Sequence, residues 1–192
     1  MNIEEGTLAV RFARSVVENC TGKVFERVIL PDTFSEPRGA FVTLKTYPDG
    51  DLRGCIGIPF PVLPLGEALA EAGSSVCHDP RFPVLRKHEL ENITVEVTVL
   101  EVPERIDCPK SELPSKIVIG RDGLMISYRG RRGLLLPQVP EEQGWNVEDY
   151  LEGLCMKAGL PRDSWKDDGA EISAFGGKVF HEVTPYGDIT EG

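Results

Sequence analysis

A chain of 192 residues, 41% hydrophobic and 27% charged, holds enough apolar material for a sizeable core in one large domain or two small lobes and needs no disulfide scaffold. Its formal charge of -10, from 31 acidic against 21 basic residues, repels polyanions and leaves nonspecific nucleic-acid binding without an electrostatic basis. The acidic start MNIEEGTLAV lacks the pattern of a secretion signal, and no stretch approaches the roughly 20 apolar residues of a membrane span, so a cytoplasmic setting is expected.

From Glu4 to Cys20 the apolar residues Ala9, Phe12, Ala13, Val16, Val17 and Cys20 collect into one helical stripe, with Glu4 and Glu5 in the first turn and Gly22 at the exit. Ala40 to Thr46 and Leu52 to Ile58 read as two strands joined through Pro48-Asp49-Gly50. Leu65, Leu69, Ala72 and Val76 mark a helix opening near Pro64, which ends where CHDPRFPVL places two prolines. In NITVEVTVLEV, apolar Ile93, Val95, Val97 and Val99 alternate with Thr94, Glu96 and Thr98, the pattern of a half-buried strand.

Pro103, Pro109 and Pro114 make the next stretch a connector, so the expected boundary between two lobes of a single domain falls within 103–115. KIVIG, GLMISY and GLLLPQ then read as short strands of an antiparallel meander. The basic tip YRGRRG is read as a solvated hairpin end, and Pro137 closes the last strand just before Gln138. Asn146 caps a helix carrying Leu151, Leu154, Cys155 and Ala158, which stops at Gly159-Leu160-Pro161. EISAFGGKVFHEV gives one or two strands about Gly176-Gly177. Strands and helices interleave without strict βαβ order, which predicts an α+β fold of mainly antiparallel sheets flanked by helices.

Cys20, Cys55, Cys77, Cys108 and Cys155 form no CxxC pair, so free thiols are expected and zinc has no support. Cys55 stands out within GDLRGCIG, on the second strand of the first hairpin. Gly54 and Gly57 flank it, and glycine inside a strand marks a bulge or the close approach of a backbone or ligand. A nucleophilic Cys55 needs an exposed sulfur, a cationic neighbour such as Arg53 and a base, whereas the alternative is a buried or ligand-lining thiol. In HDPRF, His78 and Asp79 could form an acid/base pair. Equally, Asp79 could turn the chain before Pro80 while Arg81 makes an ion pair or offers its fork to an anionic ligand. Gln138, at a strand end, and Trp145, before a helix, complete the candidate pocket set.

Taken in order, RGAFVTL, LRGCIG, DPRF, LLLPQV, GW and CMKAGLPRDSW span almost the whole chain and resemble the AMMECR domain family, called AmmeMemoRadiSam system protein A in prokaryotes. The resemblance implies a two-lobed α+β protein with a cleft, but carries no assigned activity. It makes Leu52 to Gly57 the family signature, does not include His78, and implies a Memo-like protein and a radical S-adenosylmethionine protein as partners. The chain has no metal or nucleotide motif, so no cofactor is expected on it and any iron–sulfur chemistry would belong to a partner. The expected function is therefore an accessory module whose cleft, lined by Arg53, Gly54, Cys55, Gly57, Asp79, Arg81, Gln138 and Trp145, binds a small molecule or a partner segment. The alternative is a stand-alone enzyme using Cys55.

Overall fold

The computed structural model describes residues 1–23 and 28–192. In chain order its elements begin with α1 (Ile3–Cys20), β1 (Ala40–Thr46), β2 (Leu52–Ile58), α2 (Leu65–Val76), β3 (Ile93–Leu100) and β4 (Glu104–Arg105). They continue with α3 (Leu113–Lys116), β5 (Gly123–Tyr128), β6 (Arg131–Leu135), α4 (Val139–Gln143), α5 (Val147–Lys157), β7 (Glu171–Phe175), β8 (Gly177–Glu182) and β9 (Ile189–Glu191). Two compact units result: Met1–Leu100 with Lys178–Gly192, and Glu101–Gly177. The fold is α+β, with antiparallel sheets flanked by helices.

In the first unit, α1 starts with a capping box. The Asn2 side chain accepts the Glu5 N–H at 2.9 Å, and the Glu5 carboxylate accepts the Asn2 N–H at 3.1 Å. Two donors that a first turn leaves over are thereby satisfied. Gly22, with φ +77°, takes the left-handed turn that ends the helix. The sheet runs β2-β1-β3-β8-β9. Val42 lies opposite Ile56 and Val97, and Ala40 opposite Ile58 and Val99. Because side chains alternate along a strand, this register gathers the apolar set on one face, where it packs against Ala9, Val10, Ala13 and Val17 of α1 and Leu65, Leu69 and Val76 of α2. Thr43, Cys55 and Glu96, opposite one another on neighbouring strands, share the other face.

Arg14 lies on the buried side of α1, which the apolar stripe did not indicate. Its Nε donates to Glu182 Oε1 at 3.0 Å, its Nη2 bonds Glu182 Oε2, and it also donates to the carbonyls of Leu90 at 3.1 Å and Ile93 at 2.8 Å. Glu182 Oε2 further accepts the Val95 N–H at 3.0 Å, and the Tyr186 ring lies 4.4 Å from the guanidinium. Each buried charge thus meets the opposite charge and enough hydrogen bonds to replace its water.

The second unit has the sheet order β4-β7-β5-β6. Leu124 and Ile126 of β5 and Ile172 of β7 pack against Tyr150, Leu151, Leu154 and Cys155 of α5. Asn146 caps α5 through a reciprocal pair with Asp149, as its sequence implies. The tip between β5 and β6 is a two-residue turn, Arg129 (φ 49°) and Gly130 (φ 75°), whose positive dihedrals match the twist of a tight hairpin.

Three expectations need correction here. KIVIG is not a strand: Pro114 opens the short helix α3, and the Val118 N–H is taken by the Asp122 carboxylate at 2.8 Å rather than by a neighbouring strand. The strand read in GLLLPQ begins earlier, at Arg131, and ends at Leu135. The meander expected of KIVIG, GLMISY and GLLLPQ therefore reduces to the antiparallel β5–β6 pair, and the other neighbour of β5 is β7. The proline-bearing stretch 103–115 contains β4 and the start of α3, within the second unit.

Candidate functional site around Cys55

β2 is an outer strand, so its backbone groups facing away from β1 need partners from elsewhere. At Cys55 these partners are side chains. Asp79 Oδ2 accepts the Cys55 N–H at 2.9 Å, and Arg81 Nη2 donates to the Cys55 carbonyl at 2.9 Å. The acid and the guanidinium together imitate, for one residue, the hydrogen bonds of an additional strand.

Asp79 is put there by the end of α2. Beyond Val76 the chain folds back through single-turn bonds, with the His78 N–H to the Ser75 carbonyl at 3.0 Å and the Phe82 N–H to the Asp79 carbonyl at 3.0 Å. Pro80 and Pro83 prevent helical continuation. The Asp79 side chain is 1% exposed and also accepts the Arg81 N–H at 3.1 Å, Nε at 3.0 Å and Nη2 at 2.7 Å. The Arg81 guanidinium, with the backbone donors of Cys55 and Arg81, holds this carboxyl far below the usual carboxylate range despite its burial. Arg81 itself is 55% exposed.

Arg53, which the enzyme alternative would set beside the Cys55 thiol, hydrogen-bonds to other groups. The β1–β2 register steps from Leu44 opposite Gly54 to Lys45 opposite Leu52, leaving Arg53 as the extra residue of a bulge. Its guanidinium donates to both Glu89 oxygens, at 2.8 and 3.1 Å, and to the Pro83 carbonyl at 2.9 Å. The Phe82 ring neighbours both cations, its centroid 6.0 Å from the Arg53 guanidinium and 5.7 Å from that of Arg81. Glu89 and Phe82 were missed in the sequence reading, since no local pattern links them to residue 53.

Cys55 is half-buried, and the Thr43 hydroxyl, opposite it on β1, donates to its sulfur at 3.3 Å. Among the described residues no imidazole hydrogen-bonds to it: His78 points its Nδ1 to the Ser74 carbonyl at 3.4 Å, and His181 pairs with Thr190. The His78–Asp79 acid/base pair is likewise replaced by the Asp79–Arg81 ion pair.

The two glycines have distinct reasons. A Cβ on Gly57 would stand 2.2 Å from the Phe41 ring and 2.6 Å from the Ala40 carbonyl, since Phe41 lies directly opposite and covers it. One on Gly54 would stand 3.1 Å from Val76, at the end of α2. Gly57→Ala is therefore expected to lower stability by about 2–3 kcal/mol and Gly54→Ala by about 1 kcal/mol. Urea unfolding of the two variants checks this, and equal losses would contradict the assignment.

In the second unit, Gln138 is exposed and its carbonyl accepts the Glu142 N–H at 3.0 Å as α4 begins. Trp145 is half-buried against Gly153 of α5, where a Cβ would meet the indole at 2.5 Å. Among the described residues no cluster of His, Cys, Asp and Glu could hold a metal ion, and no helix is long and apolar enough to cross a membrane.

Comparison with known proteins agrees with this architecture. The chain is 53% identical over 195 residues to Protein MJ0810 of Methanocaldococcus jannaschii, covering 100% of this chain and 96% of that one. It is 49% identical over 196 residues to a protein of Methanocella arvoryzae, covering 100% and 98% respectively. The crystal structure of the uncharacterized protein PH0010 from Pyrococcus horikoshii superposes with a TM-score of 0.77 at 44% identity, covering 98% of this chain and 97% of that one. The AMMECR1 family model matches residues 10–180, and with identities of this size over whole chains, this protein belongs to the AMMECR1 family.

Proposed function

We propose that the protein is a binding module, accessory to a Memo-like protein and a radical S-adenosylmethionine protein, and that the corner formed by Cys55, Asp79 and Arg81 is its contact point. The observation that carries this reading is the state of Arg81. One edge of its guanidinium is clamped by Asp79 and the Cys55 carbonyl, while the side chain remains 55% exposed. Nη1 has no protein partner among the described residues. A planar donor fixed in this way is pre-organised for a carboxylate or phosphate oxygen of a ligand or partner segment. The neighbouring thiol has a hydroxyl donor but no basic hydrogen-bond partner among the described residues, which favours contact over catalysis.

The test uses the purified chain with purified Memo-like and radical S-adenosylmethionine proteins from one organism. Native copurification and calorimetry are expected to detect a complex, weakened about tenfold or more by Arg81→Lys and little by Cys55→Ser. No complex with either protein, together with substrate turnover by the chain alone that Cys55→Ser abolishes, would replace this reading with that of a thiol enzyme.

A further inference from the structure

Of the four cysteines outside the Cys55 corner, Cys20 and Cys77 lie at the contact of α1 and α2. Cys77 ends α2 and is 2% exposed, with its Sγ 3.4 Å from the Gly73 carbonyl and 3.9 Å from the Val17 carbonyl on α1. Cys20, the last residue of α1, is half-buried, with its Sγ 3.5 Å from the Ser74 hydroxyl on α2. Residues three apart share a helix face, so Val17 and Cys20 on α1 oppose Ser74 and Cys77 on α2, and each sulfur reaches across to the other helix. The helices come close because Gly73 has no side chain: a Cβ there would lie 3.2 Å from Val16. Burial, and then the adjacent Cys20 thiol, push the Cys77 thiol up to about 12, which makes the more accessible Cys20 the entry point for an oxidant.

We propose that Cys20 and Cys77 are a redox pair, closed to a disulfide between the C-terminal ends of α1 and α2 by a low-molecular-weight disulfide. The Cys20 thiolate attacks one sulfur of the oxidant, whose S–S bond breaks and whose other half leaves as a thiol after taking up the Cys20 proton. The Cys77 sulfur then attacks Cys20 in the mixed disulfide, and the second half departs as a thiol carrying the Cys77 proton. Two protein thiols lose two electrons, and one external disulfide is reduced to two thiols. The bridge encloses β1, β2 and all of α2, so it restricts the unfolded chain over a long loop.

The test incubates the whole folded chain with excess oxidised glutathione, blocks remaining thiols under denaturing conditions and maps the cysteines by mass spectrometry. The expected result is a Cys20–Cys77 linked peptide pair, lighter by two hydrogens than its parts, that dithiothreitol reverses. A rise in melting temperature of about 5 °C or more should accompany it. Cys77→Ala is expected to stop at a glutathione adduct on Cys20. Mapping the wild-type chain decides the matter even if that variant does not fold. A wild-type product with both thiols free, with only an adduct on Cys20, or with either cysteine linked to Cys55, Cys108 or Cys155 would overturn the proposal.

Discussion

Glu182→Ala is expected to lower the unfolding free energy by about 3–5 kcal/mol, the largest loss of any single substitution considered. The Arg14 and Glu182 side chains are 4% and 0% exposed, so removing the carboxylate strands a guanidinium where water does not reach it. The Val95 N–H loses its acceptor in the same step. Arg11, 3.8 Å from Glu182 and part-exposed, can turn to water and adds little to the loss. Most of the penalty comes from the unpaired charge rather than from the lost pair, so Arg14→Met combined with Glu182→Leu should lose less than Glu182→Ala alone. Urea denaturation of the three proteins measures this. A double variant less stable than Glu182→Ala would show that the ion pair itself, with its three carbonyl and amide contacts, outweighs the cost of burying it.

Asp79→Ala is expected to destabilise the protein by about 2–3 kcal/mol at neutral pH. The variant loses the acceptor of the Cys55 N–H and of three Arg81 donors, while Arg81, being largely exposed, can rehydrate. The sign of the pH dependence follows from the direction of the shift. In the folded protein the Asp79 carboxyl is held below its unfolded value of about 3.9, so the unfolded state binds more protons as the pH drops. Its contribution is complete above the unfolded value and is lost as pH falls through that value towards the lower folded one. The stability gap between wild type and Asp79→Ala should therefore narrow from pH 7 to about pH 2.5. Denaturant titrations at several pH values follow the gap. A constant difference would show that Asp79 acts by shape alone and that Arg81 does not hold it ionised.

Legibility in the sequence divided along a physical line. Helix α1, the β1–β2 hairpin, strand β3 and the cap of α5 were readable because periodicity, caps and turn residues act within a few neighbours along the chain. KIVIG was misread for the same reason: its apolar residues carry no sign that Asp122 will take the Val118 N–H. LRGCIG and DPRF were legible as places where side chains converge. That Arg81 makes an ion pair was one of the readings left open, whereas its pairing with Asp79 across the outer edge of β2 was not visible. The partner of Arg53 was not visible, because Glu89 is 36 positions away and the bulge that turns Arg53 toward it depends on strand register.

The order of apolar and polar residues by itself determined the α+β class, the main helices and strands, and the location of the glycine-flanked thiol. These depend on short-range preferences and on which side of each element must leave water. Tertiary structure alone decided that Arg14 meets Glu182 across 168 positions, that Phe41 lies over Gly57, and that Arg81 rather than Arg53 stands beside Cys55. Each of those pairings brings together groups whose contact energy exists only after the sheet register and helix docking are set.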